Sequence, residues 1–562
     1  MFLTNSLTKD GITWNFCTSV SAGRYITNDF YVVGPVLVSS ITPATTTRSD
    51  GTVKNCTILG NSLTSSIQSI DGALSYFIPY SVSGNLASGI NAVLPLVLTP
   101  GQRLISFESR DALPPITRAA VLTCVSSYIP DDIQFRPGYT DGSIDSIDST
   151  KFHLNYINKL ANIDIASVLS PSKTTPTQAG VSSTVSGFWF DPFTGLLAQE
   201  FRNVSSSPYK DYDYAAILGN AALSLNCALS FDKSGIARHL VQKGIDNYSN
   251  LVNLNNYYAG PGALGSGKKF TILFAGIMLE DRDMMEVGLD YPIVLSGQNR
   301  FTEDNSTFVV SSISGTINYG YGGYATSDVG IPEWGTTHWS NPSLDDSTWL
   351  NTSAYGTDDR RYFTMKNWVG YLFAAKIMGM QKLWNHDPLW AYFNRYFAKE
   401  VEIEVAGSRE SGRETLAPNG MDWQYDYVSG FNSEYFPSDS ASQLSAVKYY
   451  GISTRSNILL YVSSNPVSGQ MNYSINVLNP LTPLSSIVFT ASAFDYVYTL
   501  SSASSLEYIP RIFQEGSYAV SSTVPTIETV NTVFPMNGKI LQVGWVDTNG
   551  ELRGTSNAIQ IT

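Results

Sequence analysis

Two carboxylates, two tryptophans and a histidine stand close together in the stretch IPEWGTTHWSNPSLDD and the residues just before it: Asp328, Glu333, Trp334, His338 and Trp339. An acid and a base or nucleophile beside an aromatic ring meet the needs of glycoside hydrolysis, and the distance between the carboxyls sets a retaining or an inverting outcome. A histidine between Trp-bearing turns has a ring and carboxylates nearby to tune it toward neutral pH. The competing reading of the same residues is structural: Asp328 caps a turn and Glu333 pairs with Arg360 or Arg361. His386, in LWNHDPLWAYF, divides in the same way between a ligand contact and part of a helix start, because Asp-Pro follows it.

A second chemistry fits other residues. In lyase action a Tyr or His base removes the proton beside a uronate carboxylate while Asn, His or Arg neutralises that carboxylate. The loop NLNNYYAG offers Asn255, Asn256, Tyr257 and Tyr258, with His338 and Arg361 as partners. Further on, MDWQYDYVSGFNSEYF interleaves rings with acids. Trp423 there is a sugar platform, or else part of a packed domain junction. The acid spacing in that stretch is too irregular for a calcium loop.

The run GALGSGKK from Gly262 to Lys269 matches the first seven positions of a phosphate-binding loop but has Lys269 where the magnesium-binding Ser or Thr belongs. No apolar strand precedes it, so a tight turn into a helix is the better reading. Cys17, Cys56, Cys124 and Cys227 show no CxxC spacing and have no neighbouring His, so no zinc site is expected. Their flanks suit buried thiols, with one disulfide among the first three as the alternative. His153 and His239 fall on ordinary amphipathic segments and read as structural. No metal and no cofactor is expected.

The elements that must position these residues follow from periodicity. From Gly11 to Ser127, short β-prone runs alternate with Pro and Gly: Tyr31 to Ile41, Val53 to Leu59, Ala92 to Leu98, Leu104 to Glu108 and Ala119 to Val125. Helical spacing then appears in Tyr214 to Leu229, Gly235 to Val252, Lys269 to Met285, Asn367 to Met380 and Leu389 to Phe397. Small residues interleaved with large ones, as in AAILGNAALSL and FTILFAGIMLE, let helices approach closely. The insertion Tyr291 to Tyr362 between the third and fourth helices carries the first candidate cluster, and loops on a rigid scaffold are where sites assemble. Strand patterns return in Asn457 to Val462, Ser486 to Ala491 and Lys539 to Trp545. The fold class expected is multidomain α+β: an N-terminal β-sandwich over 1–130, a connector with short helices over 131–210 that includes Phe152 to Leu169, an α/α-toroid-like helical domain over 211–440 carrying the site, and C-terminal β-sandwich modules over 441–562.

Composition narrows the partners. At 562 residues the chain is long enough for roughly three or four domains. With 14% charged residues and 12% aromatic ones, including 33 Tyr and 10 Trp, the surface resembles that of virion and extracellular β-rich proteins. A net charge of −13 without a basic block repels nucleic acid and anionic membranes. The N-terminal residues MFLTNSLTKDGITWNF lack the basic and apolar regions of a secretory signal, and no run of 18 apolar residues spans a membrane. A virion surface or extracellular location is expected.

The segments GSGKKFTILFAGIMLED, DVGIPEWGTTHW and NWVGYLFAAKIMGMQKLWNHDPLWAYFNRYF resemble a set of uncharacterised bacterial and phage proteins built around an α/α toroid. That set is similar in plan to toroidal polysaccharide lyases and glycoside hydrolases. The likeness covers Tyr212 to Phe436 and implies a carbohydrate-active protein; it carries no catalytic assignments. The function expected is binding and cleavage of a polysaccharide, as in a phage tail depolymerase. Its catalytic residues are Glu333, Asp328, His338 and Tyr258, and its substrate-binding residues are Trp334, Trp339, His386, Arg361, Trp423 and Asn256. The partners are a polysaccharide or surface glycan, with further copies of the chain or other virion proteins. The alternative is a non-catalytic receptor-binding or structural virion protein.

Overall fold

The computed structural model describes residues 1–47, 53–60, 92–109, 116–129, 134–140, 147–148, 176–187, 210–227, 229–230, 232–253, 258, 265–290, 299–309, 311–313, 316–318, 330, 332–334 and 365–395, with strand segments between Ile458 and Ile561. The chain is mixed α/β and divides into two compact units: Met1–Asp281 with Ile293–Gln381 and His386–Ala446, and Arg282–Pro292 with Lys382–Asn385 and Val447–Thr562. No helix among the described residues is long and apolar enough to cross a membrane.

The first unit begins with a single curled sheet. Its strands are β1 (Phe2–Lys9), β2 (Ile12–Arg24), β3 (Phe30–Val33), β4 (Val36–Thr42), β5 (Thr57–Leu59), β6 (Leu96–Leu98), β7 (Arg103–Ser109) and β8 (Ile116–Val125). The order is β5-β7-β8-β3-β2-β4-β6, with β1 along β2. β3 and β8 run parallel, whereas the other neighbours are antiparallel. Sequence patterning pointed to a sandwich of separate sheets; one continuous sheet forms because the long β2 pairs with β4 near its start and β3 near its end. The sheet closes over its own core, since the Trp14 indole donates to Ser106 Oγ on β7 at 3.0 Å across intervening strands. Leu7, Ile12, Trp14, Val32, Val38, Leu104 and Leu122 fill the interior, and removing such apolar surface from water is the main stabilising term. None of the four cysteines is in a disulfide; Cys17 is exposed on β2 and the other three are buried.

Helices follow at positions close to those expected: α1 (Gln178–Val185), α2 (Lys210–Leu225), α3 (Lys233–Asn253), α4 (Lys268–Leu279), α5 (Thr302–Ser306), α6 (Lys366–Ile377) and α7 (387–395). α1 falls in the connector expected to carry short helices, and Phe152 to Leu169 lies outside the described residues. α4 stops at Glu280, a left-handed cap at φ 53°, so the apolar run to Met285 is broken. The broadest contacts of α2 are with α6 and those of α3 are with α4; α2 also meets α3, and α4 meets α6, which closes a cycle of four. Gly244 permits the α3–α4 approach: a Cβ there would lie 2.2 Å from the Thr271 carbonyl oxygen and 2.5 Å from the Ala275 Cβ.

The connector 134–140 joins sheet and helices. Arg136, buried, donates from Nε to Asp29 Oδ2 at 3.3 Å and from both terminal nitrogens to Asp246 on α3. Gln242 Nε2 donates to the Arg136 carbonyl at 2.9 Å, and Asn250 Nδ2 donates to the Tyr139 hydroxyl. Polar groups buried in this number hold only when they are mutually bonded.

In the second unit, Ile458–Val462, Gln470–Val477 and Glu528–Asn531 form one antiparallel sheet. Leu484–Ser492 and Lys539–Asp547 lie at the centre of a larger one. Within the same unit, Asn385 Nδ2 donates to the Gly288 carbonyl at 3.2 Å.

Candidate functional site

The insertion expected to carry the site contains regular elements. α5 opens with Glu303 and Asp304 in its first turn, where the N-terminal dipole favours negative charge. The β-branched and aromatic run Thr307–Val309 then extends as β9 and pairs antiparallel with β10 (Pro332–Trp334). The register sets Thr307 opposite Trp334, Phe308 opposite Glu333 and Val309 opposite Pro332. Glu333 and Trp334, expected in a loop, therefore stand on a ribbon strand.

α7 holds this ribbon at both ends. His386 immediately precedes α7, in keeping with the helix-start reading of Asn-His-Asp-Pro. Its Nε2 lies 3.0 Å from both the carbonyl oxygen and Oγ1 of Thr307. Arg395 in the last turn donates from Nη1 to the Pro332 carbonyl at 2.7 Å. Three residues chosen from the sequence, Glu333, Trp334 and His386, thus belong to one small assembly.

Behind the ribbon is a buried polar cluster that sequence reasoning missed. Glu303 Oε1 accepts from the Gly267 backbone N–H at 2.6 Å and from the Tyr371 hydroxyl at 2.9 Å. Its Oε2 has no hydrogen-bond partner among the described residues. Burial, helped by the nearby Asp304 charge, pushes the Glu303 carboxyl up to about 7 against the pull of those two donors. Lys269 Nζ is 2.5 Å from Asp304 Oδ2 and 5.2 Å from the centre of the Phe301 ring. Burial lowers the Lys269 ammonium from its ordinary value, while Asp304 opposes that change. Trp368 Nε1 donates to Ser266 Oγ at 2.7 Å. The signals the sequence offers for this cluster are the GSGKK turn that carries Lys269 and the Glu-Asp pair at the head of the short run TEDNS.

The same geometry accounts for the phosphate-loop pattern. Gly267 caps α4 at φ 79°, and its N–H, the donor a phosphate would seek, is taken by Glu303. Lys268, at the position of the phosphate-loop lysine, is buried, and Lys269, where the magnesium-binding Ser or Thr belongs, is paired with Asp304. The anion at this helix start is the protein's own.

Tyr258 changes role. It is wholly buried, its ring stacks on Phe301 at 6.2 Å, and its hydroxyl donates to the Asn247 carbonyl at 3.0 Å. A phenol so enclosed is a scaffold group, not one poised to take a proton from a polymer. His239 lies on α3, where burial first and Lys243 second push it down to about 4; a structural role suits it. Asp328, His338, Trp339, Arg361, Trp423 and Asn256 lie outside the described residues, as do Asn255, Tyr257, Arg360, His153 and the remainder of Met421 to Phe436. Among the described residues no group of three or more His, Cys, Asp or Glu could hold a metal ion.

His386, half-buried, meets the ribbon at Thr307, whose hydroxyl donates to the backbone carbonyl of Glu303 at 2.7 Å. Comparison of the chain with family models, with curated proteins and with solved structures finds no match.

Proposed function

We propose that the chain binds and cleaves a polysaccharide at the β9–β10 ribbon, as a virion-associated or extracellular depolymerase. The observation that supports this reading is the pair of bonds from His386 to Thr307, the residue opposite Trp334 and next to the partner of Glu333. An imidazole, a carboxylate-bearing residue and an indole-bearing residue on adjoining backbone are what sugar recognition and acid–base cleavage require. In the proposal Glu333 and Asp328 exchange protons, His338 positions the substrate, and Trp334, Trp339 and Trp423 are sugar platforms. Arg361 and Asn256 bind hydroxyl or carboxylate groups, and His386 binds a hydroxyl group. The cycle of four helices is read as part of an incomplete α/α toroid, and the C-terminal sheets as sandwich modules that hold polymer or further virion chains.

The test is product release from a panel of neutral and uronic-acid polysaccharides, following reducing ends and unsaturated uronate together, with Glu333→Gln and His338→Ala beside the parent. Reducing ends alone, lost in Glu333→Gln, establish a hydrolase. Both signals, lost in His338→Ala, establish a lyase.

The second reading is a non-catalytic receptor-binding or structural virion protein. It is favoured by the full enclosure of Glu303, Tyr258 and Tyr371, which leaves the Glu303 carboxyl in the core. Binding of a glycan that is never cleaved, unaffected by Glu333→Gln, selects it.

A further inference from the structure

His386 stands where the ribbon, the buried acids and α7 meet. Both acceptors that face its Nε2 belong to Thr307, the carbonyl oxygen and Oγ1, each at 3.0 Å. A carbonyl oxygen can only accept. The hydroxyl of Thr307 has one proton, and it goes to the Glu303 carbonyl oxygen at 2.7 Å, so toward His386 that oxygen also offers only lone pairs. Two acceptors aimed at one ring nitrogen require that nitrogen to carry hydrogen. In a neutral imidazole the other nitrogen is then bare.

We propose that Thr307 is a positioning residue that locks His386 as the Nε2–H tautomer, and that the bare Nδ1 is the acceptor this site offers to a hydroxyl group of its ligand. The ligand half of the proposal rests on the polysaccharide reading; the tautomer does not. Among the described residues the charged groups facing the ring are Asp304, Lys269 and Asp387. Asp304 is spent on Lys269 at 2.5 Å, which leaves that pair without net charge toward the ring. Burial, with Lys269 assisting, draws the imidazole below its ordinary 6.5 despite Asp304, the Thr307 carbonyl and Asp387, so the ring is neutral at pH 7.

Specificity follows from the bare nitrogen. A lone pair welcomes a sugar hydroxyl and repels a carboxylate, so the substrate class at this point is a neutral, hydroxyl-bearing sugar and not a uronate. Thr307 acts through His386 and through the register that sets it opposite Trp334.

Long-range proton–nitrogen spectra of the full chain labelled with 15N-histidine test this directly. The chain has four histidines, and His386→Gln assigns the signal. At pH 7 the expected pattern is a protonated Nε2 and a pyridine-type Nδ1. Thr307→Val should give a mixture of tautomers, and Thr307→Ser should restore the single one. An Nδ1–H ring or an imidazolium in the parent overturns the proposal. So does an unchanged tautomer in a folded Thr307→Val chain; if that variant does not fold, the parent and Thr307→Ser spectra decide.

Neutral and uronic-acid oligosaccharides are then added as probes. A shift of Nδ1 with neutral sugars only is expected. A shift with uronates only overturns the acceptor role. No shift with any sugar overturns that role together with the polysaccharide reading, while the tautomer stands or falls on the spectrum of the free protein.

Discussion

Arg136 grips the carboxylate of Asp246 with both terminal guanidinium nitrogens, at 2.9 Å to Oδ1 and 2.6 Å to Oδ2. Its third nitrogen reaches Asp29 beside β3, so one side chain seats α3 against the sheet. Paired charges of this kind add little over a good apolar fit, but removing one partner strands the others. Arg136→Met should therefore cost about 3–5 kcal/mol in denaturant unfolding. Changing Asp29 and Asp246 to Asn as well should return most of that loss. A single variant as stable as the parent would mean that the three groups are solvated and do not join the sheet to the helix.

Gly244→Ala sets two effects against each other. Alanine is the better helix former by about 1 kcal/mol, yet its Cβ would press on the Thr271 carbonyl oxygen at 2.2 Å, and backbone cannot move aside cheaply. The steric effect should win, with a net loss of about 1–3 kcal/mol in thermal unfolding. A gain in stability would show that α3 and α4 stand further apart.

The helices were legible because their apolar residues recur at helical spacing, and the close α3–α4 approach followed from the small residues among them. The sheet was less so. Tyr31 to Ile41 read as one strand, yet β3 and β4 are separated at Gly34–Pro35, and the polar-rich β1 and β2 escaped notice although β2 is the longest strand of the sheet. Which residues meet is a property of pairing and not of spacing. Glu333 and Trp334 drew attention by type, but their position opposite Phe308 and Thr307 comes from a ribbon closed across an insertion. Glu303 and Tyr371 are 68 residues apart and bonded in the core, and no local pattern announces such a contact.

Glu303 makes a pH prediction whose sign can be worked out. Its ordinary value is 4.5, and in the fold it is pushed up to about 7. Between those values the folded chain keeps a proton that the unfolded chain has released, so this group's stabilisation is complete below about 4.5 and falls as pH rises toward 7. The size is about 3 kcal/mol. His239, pushed down to about 4 chiefly by burial, works in the opposite sense, because the unfolded chain holds its proton up to 6.5. Because His239 and Glu303 offset one another in the parent, the difference from Glu303→Gln is the quantity to measure. Relative to the parent, that variant should gain about 3 kcal/mol between pH 4.5 and 7.5. A difference independent of pH would show that Glu303 ionises normally.

Lys269 and Asp304 make the complementary case. The pair is buried at 2.5 Å, and Lys269 also faces the Phe301 ring, so Lys269→Met removes the cation bonded to a buried carboxylate. A loss of about 3–5 kcal/mol is expected, and Lys269→Met with Asp304→Asn should recover most of it by removing the stranded charge. Because the Gly267 N–H is engaged by Glu303 and Lys268, at the phosphate-loop lysine position, is buried, magnesium ATP should leave the melting temperature of the parent unchanged, whereas a nucleotide that bound only the folded chain would raise it. A nucleotide-dependent rise would mean that Glu303 and Asp304 give way to phosphate. The absence of a rise, with Lys269→Met still destabilising, fixes the GSGKK turn as the frame that carries the buried acids behind the ribbon.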